Sequence, residues 1–429
     1  LTLQYKTAAG AWQNVASGTD YTAGNAVLTA SAVTQNVTVD ASPTKNAASW
    51  SGLRAWYLAN GVRTKIIYRV VETVANGAIA AANGYTQTLD TTGFTYDDAT
   101  GAADKTYRTT IGNTLDTASL TVNKTWADTG YASLRPSAVV FQVQYRHGAS
   151  AWTDLLQNGQ PRTITLQPLD KTADAQWTAT LTGLPKADKN GDPYAYRVLE
   201  VSAVYNGTTL QASGGAWDAD NELHWTGSLV GYTADVVTTA NKGGGWTAAA
   251  ANTLLRGAIQ ATKTWQDGSD RDGKRPASVT VTLYRDPAKT ATAADIEKTG
   301  TQVGSKTLTA ANNWTAAWAD LPLYRADGSL SSYRMVETAV DGYATVYGGN
   351  AVDAGKTLTA NSTVATAITN TYSPKKFAVS ASKVWADDND QYRLRPGNVT
   401  RALTAQVTDA NGKAHGLTVV KGSLPAAQT

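Results

Sequence analysis

The sequence predicts an all-β chain of tandem sandwiches, on three observations. First, short segments alternate apolar and polar residues and are rich in β-branched and aromatic types: Val139–Tyr145 (VVFQVQY), Ser278–Tyr284 (SVTVTLY) and Ala378–Val384 (AVSASKV). That period of two is the mark of half-buried strands. Second, turn punctuation separates them at Asn190-Gly191-Asp192, Asp327-Gly328, Asp341-Gly342 and Asn411-Gly412. Third, helical periodicity is missing; Thr292–Lys298 offers a single turn at most. Many short strands with frequent turns fit sandwiches better than layered α/β architectures.

The order of elements repeats. Val122-Asn-Lys124-Thr-Trp126 returns as Ala261-Thr-Lys263-Thr-Trp265 and as Ala381-Ser-Lys383-Val-Trp385. Each copy precedes an acidic loop and an Arg-Pro pair, at Arg135-Pro136, Arg275-Pro276 and Arg395-Pro396. A second marker is Tyr68-Arg-Val-Val-Glu72, Tyr196-Arg-Val-Leu-Glu200 and Tyr333-Arg-Met-Val-Glu337. A third is Ile111-Gly-Asn113-Thr, Ala251-Asn252-Thr and Ile368-Thr-Asn370-Thr-Tyr372. Three signals in one order define a tandem array, cut at each Lys-x-Trp strand. Residues 117–256 and 257–373 carry every marker. Residues 1–116 carry Glu72 and Asn113 without an opening Lys strand, and 374–429 carry Lys383 without the later markers. The expectation is a window onto a longer array, read from a mature form or a fragment, with Ser373-Pro374-Lys375-Lys376 as a short linker.

Composition excludes several function classes. Lys and Arg number 37 against 34 Asp and Glu, a net +3, too even for a nucleic-acid-binding or membrane-attracted surface. The 429 residues contain no cysteine, which removes disulfides, thiolate metal sites and cysteine nucleophiles. Three histidines lie far apart in sequence, so neither a metal nor another cofactor is expected. No signal peptide opens the chain and no apolar run could span a bilayer. The acidic loops Asp267–Asp272 and Asp387–Asp390 lack calcium-loop spacing and read as solvated turns.

Taken together, the Lys-x-Trp opening, the Arg-Pro after an acidic loop, the Tyr-Arg-x-x-Glu strand and the Asn-Thr ending resemble the Cna B-type repeats of Gram-positive surface adhesins and pilins. The resemblance covers nearly the whole chain. It implies immunoglobulin-like sandwiches of reversed type. It also implies a spontaneous isopeptide bond between the first-strand Lys and the last-strand Asn, promoted by the Glu. The bonding pairs would be Lys124 with Asn252 and Lys263 with Asn370, promoted by Glu200 and Glu337. Glu72 and Asn113 would belong to a triad whose Lys lies upstream, and Lys383 to one completed downstream.

The chemistry is sensible. A lysine inside a sandwich is driven by desolvation toward a neutral, nucleophilic amine, and a buried carboxyl toward its neutral form. Such an acid polarises the carboxamide and shuttles protons while ammonia leaves. Folding supplies proximity worth effective molarities of about 10⁵ M or more. Each unit reacts once, so the chain is not expected to be an enzyme. Plainer readings stand beside this one: an edge-strand charge for each Glu, a turn residue for each Asn. Asn252 departs from the usual ending, with Ala250-Ala251 and Leu254 as flanks. Trp126, Trp265 and Trp385 recur at equivalent positions, which favours core packing. Trp217, Trp225 and Trp246 lie in an insertion without counterparts and are candidates for an exposed recognition surface.

The expected function is structural: a stalk or filament segment of an extracellular adhesin or pilus-like protein, anchored to the cell wall through a region outside this chain. Its partners would be neighbouring domains of the same longer chain. The alternative is a binding module in which 117–256 grips a host protein or glycan.

Overall fold

The computed structural model describes residues 107–288 and 292–374 continuously. Of 1–106 it describes the strands named below with their flanks, and of 375–429 residues 382–396, 406–408 and 414–416. Two compact units result, Leu1–Ser373 and Pro374–Thr429.

Within the first, two immunoglobulin-like sandwiches follow one another. In the earlier one, the opening strand Thr117–Ala127 lies between Thr178–Pro185 and the closing strand Trp246–Leu254, and the sheet continues through Tyr232–Ala240, His224–Leu229 and Ser213–Trp217. Its second sheet is built on Ala138–His147 paired with Tyr194–Tyr205. In the later sandwich the opening strand Arg256–Gln266 lies between Thr315–Pro322 and the closing strand Thr363–Tyr372, which also pairs with Tyr343–Tyr347. Ser278–Arg285, flanked by Thr301–Thr309 and Tyr333–Glu337, faces it. In both, opening and closing strands are parallel neighbours. Parallel neighbours need a long crossover, and here the rest of the domain provides it.

Phase decides what is inside. On the opening strand Ala118, Leu120, Val122 and Lys124 are all buried while Asn123 and Thr125 are exposed. The later domain repeats this with Ile259, Ala261 and Lys263. Because side chains alternate faces, each lysine is carried inward by the apolar residues preceding it. The cores contain Phe141, Trp177, Tyr196 and Val198 in one domain and Val281, Leu283, Trp318 and Tyr333 in the other.

Elsewhere, Thr2–Thr7 pairs with Val62–Val71 over a small core of Leu3, Val15, Ile66, Tyr68 and Val70. Tyr85–Thr88 pairs with Gly112–Leu115. The short helix expected near 292 is Ala293–Thr299, with the Thr292 side chain accepting from the Asp295 N–H. Most of Ala378–Val384, and Asn411-Gly412, lie outside the described residues.

Candidate functional site

The closing strands place Asn252 and Asn370 inward in the same way, with Ala248, Ala250 and Leu254 around one and Thr366 and Ile368 before the other. Opposite them, Tyr196, Val198 and Glu200 are buried from the second sheet, as are Tyr333, Met335 and Glu337. Three polar side chains thus meet between the sheets of each domain.

Their geometry is nearly the same twice. Lys124 Nζ donates to Glu200 Oε2 at 2.9 Å, and Asn252 Nδ2 donates to Glu200 Oε1 at 2.8 Å. In the later domain Asn370 Nδ2 donates to Glu337 Oε1 at 2.5 Å. Lys263 Nζ stands 3.4 Å from Glu337 Oε2, an ion-pair separation that leaves Oε2 without a hydrogen bond. The side chains of both lysines and both glutamates are fully buried. Asn252 is as buried as Asn370, so the departure of its flanks from the usual ending does not expose it.

Desolvation dominates the amines. Burial pushes the Lys263 ammonium down to about 8, against the upward pull of Glu337. Lys124 is lowered from its ordinary value for the same reason, with Glu200 again opposing. Each glutamate lies between an amine and a carboxamide, an arrangement that can pass a proton from one nitrogen to the other.

An aromatic box walls off each site. Trp126 meets Trp177 and Tyr232 edge-on, with centroids 5.0 and 4.9 Å away. Trp265 meets Trp314 and Tyr343 at 5.1 Å each. Lys124 and Lys263 sit 4.5 and 4.3 Å from the Trp126 and Trp265 rings, a cation–π contact in a dry setting.

Behind the box lies a device that the sequence showed only as a marker. The arginine of each Arg-Pro pair grips the first aspartate of the acidic loop with two bonds. Arg135 holds Asp128 at 2.7 Å twice, Arg275 holds Asp267 at 2.9 and 2.6 Å, and Arg395 holds Asp387 at 2.8 and 2.5 Å. Tyr232 and Tyr343 hydroxyls also donate to Asp128 and Asp267. Arg275 keeps the Asp267 carboxyl far below the usual range. The pairing of an acidic residue with an Arg seven or eight positions on, in three repeats, was the signal available.

Other expected residues are placed differently. Glu72 accepts from Asn113 at 2.8 Å and from Gln87 at 3.0 Å, but Asn113 is exposed and Glu72 half-buried. Lys383 is exposed, 3.9 Å from the Trp385 ring. The expected recognition surface needs correction at Trp225, which is 3% exposed and belongs to the core. Gly215 and Gly227 flank its ring so closely that a Cβ on either would stand 2.6 or 2.5 Å from it. Trp217 is half-buried and stacks on Arg197, whose guanidinium also covers Trp152. Trp246 is half-buried beside Ala118, Pro185 and Tyr194. Among the described residues one group, His147, Asp188 and Asp192, brings metal-ligand atoms within 4.8 Å of one another. Asp188 Oδ1 there already accepts the Asn190 and Asp192 N–H groups.

The model of the Cna protein B-type domain matches residues 120–217 and 259–371. The collagen adhesin of Staphylococcus aureus is 27% identical over 295 residues, 68% of this chain and 18% of that protein. The chain therefore spans less than a fifth of that relative. A single B repeat unit (B1) of the collagen-binding surface protein of Staphylococcus aureus is 24% identical, covering 60% of this chain and all of that one, with a TM-score of 0.21. The major pilin of Streptococcus pyogenes is 12% identical, covering 60% and 98%, with a TM-score of 0.27.

Proposed function

We propose that this chain, whose segments 120–217 and 259–371 are Cna protein B-type domains, is a tension-bearing stalk segment of an extracellular surface protein, closed unit by unit through self-made isopeptide bonds. One observation carries the reading: a Lys, a Glu and an Asn are buried together in both complete domains, with the Glu between the other two.

The reaction balances within the site. A proton passes from Lys Nζ to the Glu carboxylate, which leaves two neutral groups in place of two buried charges. The free amine attacks Asn Cγ. The Cγ–Nδ2 bond then breaks as Glu returns its proton to the departing nitrogen, and the attacking nitrogen gives up its second proton to the Glu carboxylate, which ends protonated. The products are an amide between Lys Nζ and Asn Cγ, and ammonia.

The strand arrangement gives that bond mechanical meaning. Lys124 and Asn252 stand near the ends of parallel neighbouring strands, two register positions apart. Tension entering at Thr117 would run along the opening strand, cross the bond and leave at Leu254, bypassing everything between. Without the bond the load falls on strand hydrogen bonds, each worth about 1 kcal/mol net. Two junctions among the described residues are short: only Asp116 separates Gly112–Leu115 from Thr117–Ala127, and only Leu255 separates the two sandwiches. Arg256 donates to the Thr129 carbonyl and the Leu323 N–H to the Leu255 carbonyl, bracing that junction.

Intact-mass measurement on the full chain tests the chemistry. The expected result is a deficit of two ammonia molecules, with peptide mapping placing the links at Lys124–Asn252 and Lys263–Asn370. A chain at its unmodified mass overturns the proposal.

A further inference from the structure

The self-crosslinking read above leaves one atom unaccounted for. When the amine attacks, negative charge builds on the asparagine Oδ1, and a dry site must meet it with a donor already in place. Before reaction neither glutamate oxygen faces it: one faces the lysine Nζ and the other takes the Asn Nδ2. Asn252 Oδ1 and Asn370 Oδ1 are both buried with no hydrogen-bond partner.

Each of the two domains holds a buried indole N–H with no acceptor, that of Trp126 and of Trp265; the other unpartnered buried hydroxyls there, of Thr238 and Thr366, lie four strand positions away from the asparagine. Two other buried indoles in these domains are satisfied, Trp177 Nε1 by the Lys171 carbonyl at 3.0 Å and Trp318 Nε1 by the Gly304 carbonyl at 3.1 Å. Orphaned donor and orphaned acceptor are also neighbours. Trp126 is the register partner of Asn252 and Trp265 of Asn370, across parallel strands. Both tryptophans are in phase with the lysine two residues earlier, so all three side chains share the inward face. Packing against the lysine and the other aromatic rings uses the faces and edges of the indole and needs no N–H. A phenylalanine would serve for that.

We propose that Trp126 and Trp265 are the oxyanion donors of this reaction: the indole N–H bonds the Asn oxygen as it becomes charged, and stays bonded to the isopeptide carbonyl afterwards. The inference rests on the crosslinking reading and adds a residue to it. The orphaned pair is then a ground-state cost that is relieved as the reaction proceeds.

Trp265→Phe in the full chain provides the test. Cell-free synthesis followed by mass mapping through time reads the two links separately, so the unaltered Lys124–Asn252 link is a clock inside the same molecule. The Lys263–Asn370 link should form on the order of 10²-fold more slowly in the variant. Equal rates at Lys263–Asn370 in variant and parent overturn the role of tryptophan while leaving the crosslink intact. No ammonia loss at either site in the parent chain overturns both. If Trp265→Phe fails to fold, benzothienylalanine at 265 keeps the bicyclic shape and replaces N–H with sulfur; rapid linkage there refutes the proposal, and slow linkage supports it.

Discussion

Asn370→Ala would prevent the proposed Lys263–Asn370 link and leave Lys263 paired with Glu337 as in the unlinked fold. The proposed bond would close a loop of roughly 100 residues, from Lys263 to Asn370. In the chain-entropy treatment used for cross-links, such a loop lowers the entropy of the unfolded chain by an amount worth about 5 kcal/mol at 25 °C. A domain of roughly 120 residues, Arg256 to Tyr372, has an unfolding entropy near 0.25 kcal/mol/K. Dividing the two gives a fall in Tm of about 20 °C. Calorimetry of the full chain should show one endotherm moving down by that amount while the endotherm of the neighbouring sandwich stays put. Intact mass on the same samples should show one ammonia fewer lost. A parent chain that carries the Lys263–Asn370 link yet melts within a few degrees of Asn370→Ala would refute the closure argument.

Protonation gives a second test in that same unlinked background. The Lys263 amine ionises at about 8 in the fold against 10.5 for its reference value, so between those limits the unfolded chain binds more protons. Stability therefore rises with pH from about 8 to 10.5 and is level below that window, read as the difference between N370A and N370A with Lys263→Met in urea titrations. The close approach to Trp225 predicts that Gly215→Ala destabilises its domain by about 1–3 kcal/mol, measured by thermal melting. An unchanged midpoint would show that the ring can shift at no cost. Arg275→Lys loses the two-point grip on the buried Asp267 and should cost about 2 kcal/mol in chemical denaturation, with the Lys263–Asn370 link still forming.

Much of this was legible in one dimension because alternation has a period of two. Ile259, Ala261 and Lys263 declare a strand, and their shared phase places the lysine with the apolar residues. The recurrence of Lys, Glu and Asn in constant order likewise marks the domain cuts without coordinates. The tryptophans were less readable. Trp225 has no repeat counterpart and so resembled a surface residue, yet two glycines, Gly215 and Gly227, open a slot that only its ring fills. Nothing in a local window says that Gly215, ten positions before Trp225, helps to leave such a space.

Strand identity and inward phase are properties of neighbouring residues, and the chain alone determined them. Which groups meet is a matter of register between strands more than a hundred residues apart, and that only the tertiary structure decided. The parallel pairing that sets Trp126 against Asn252 and Trp265 against Asn370 brings a donor beside an acceptor. The second sheet then lowers a glutamate between the lysine and the amide. Burial does the rest, because a lysine titrates at about 8 only where packing has removed its water.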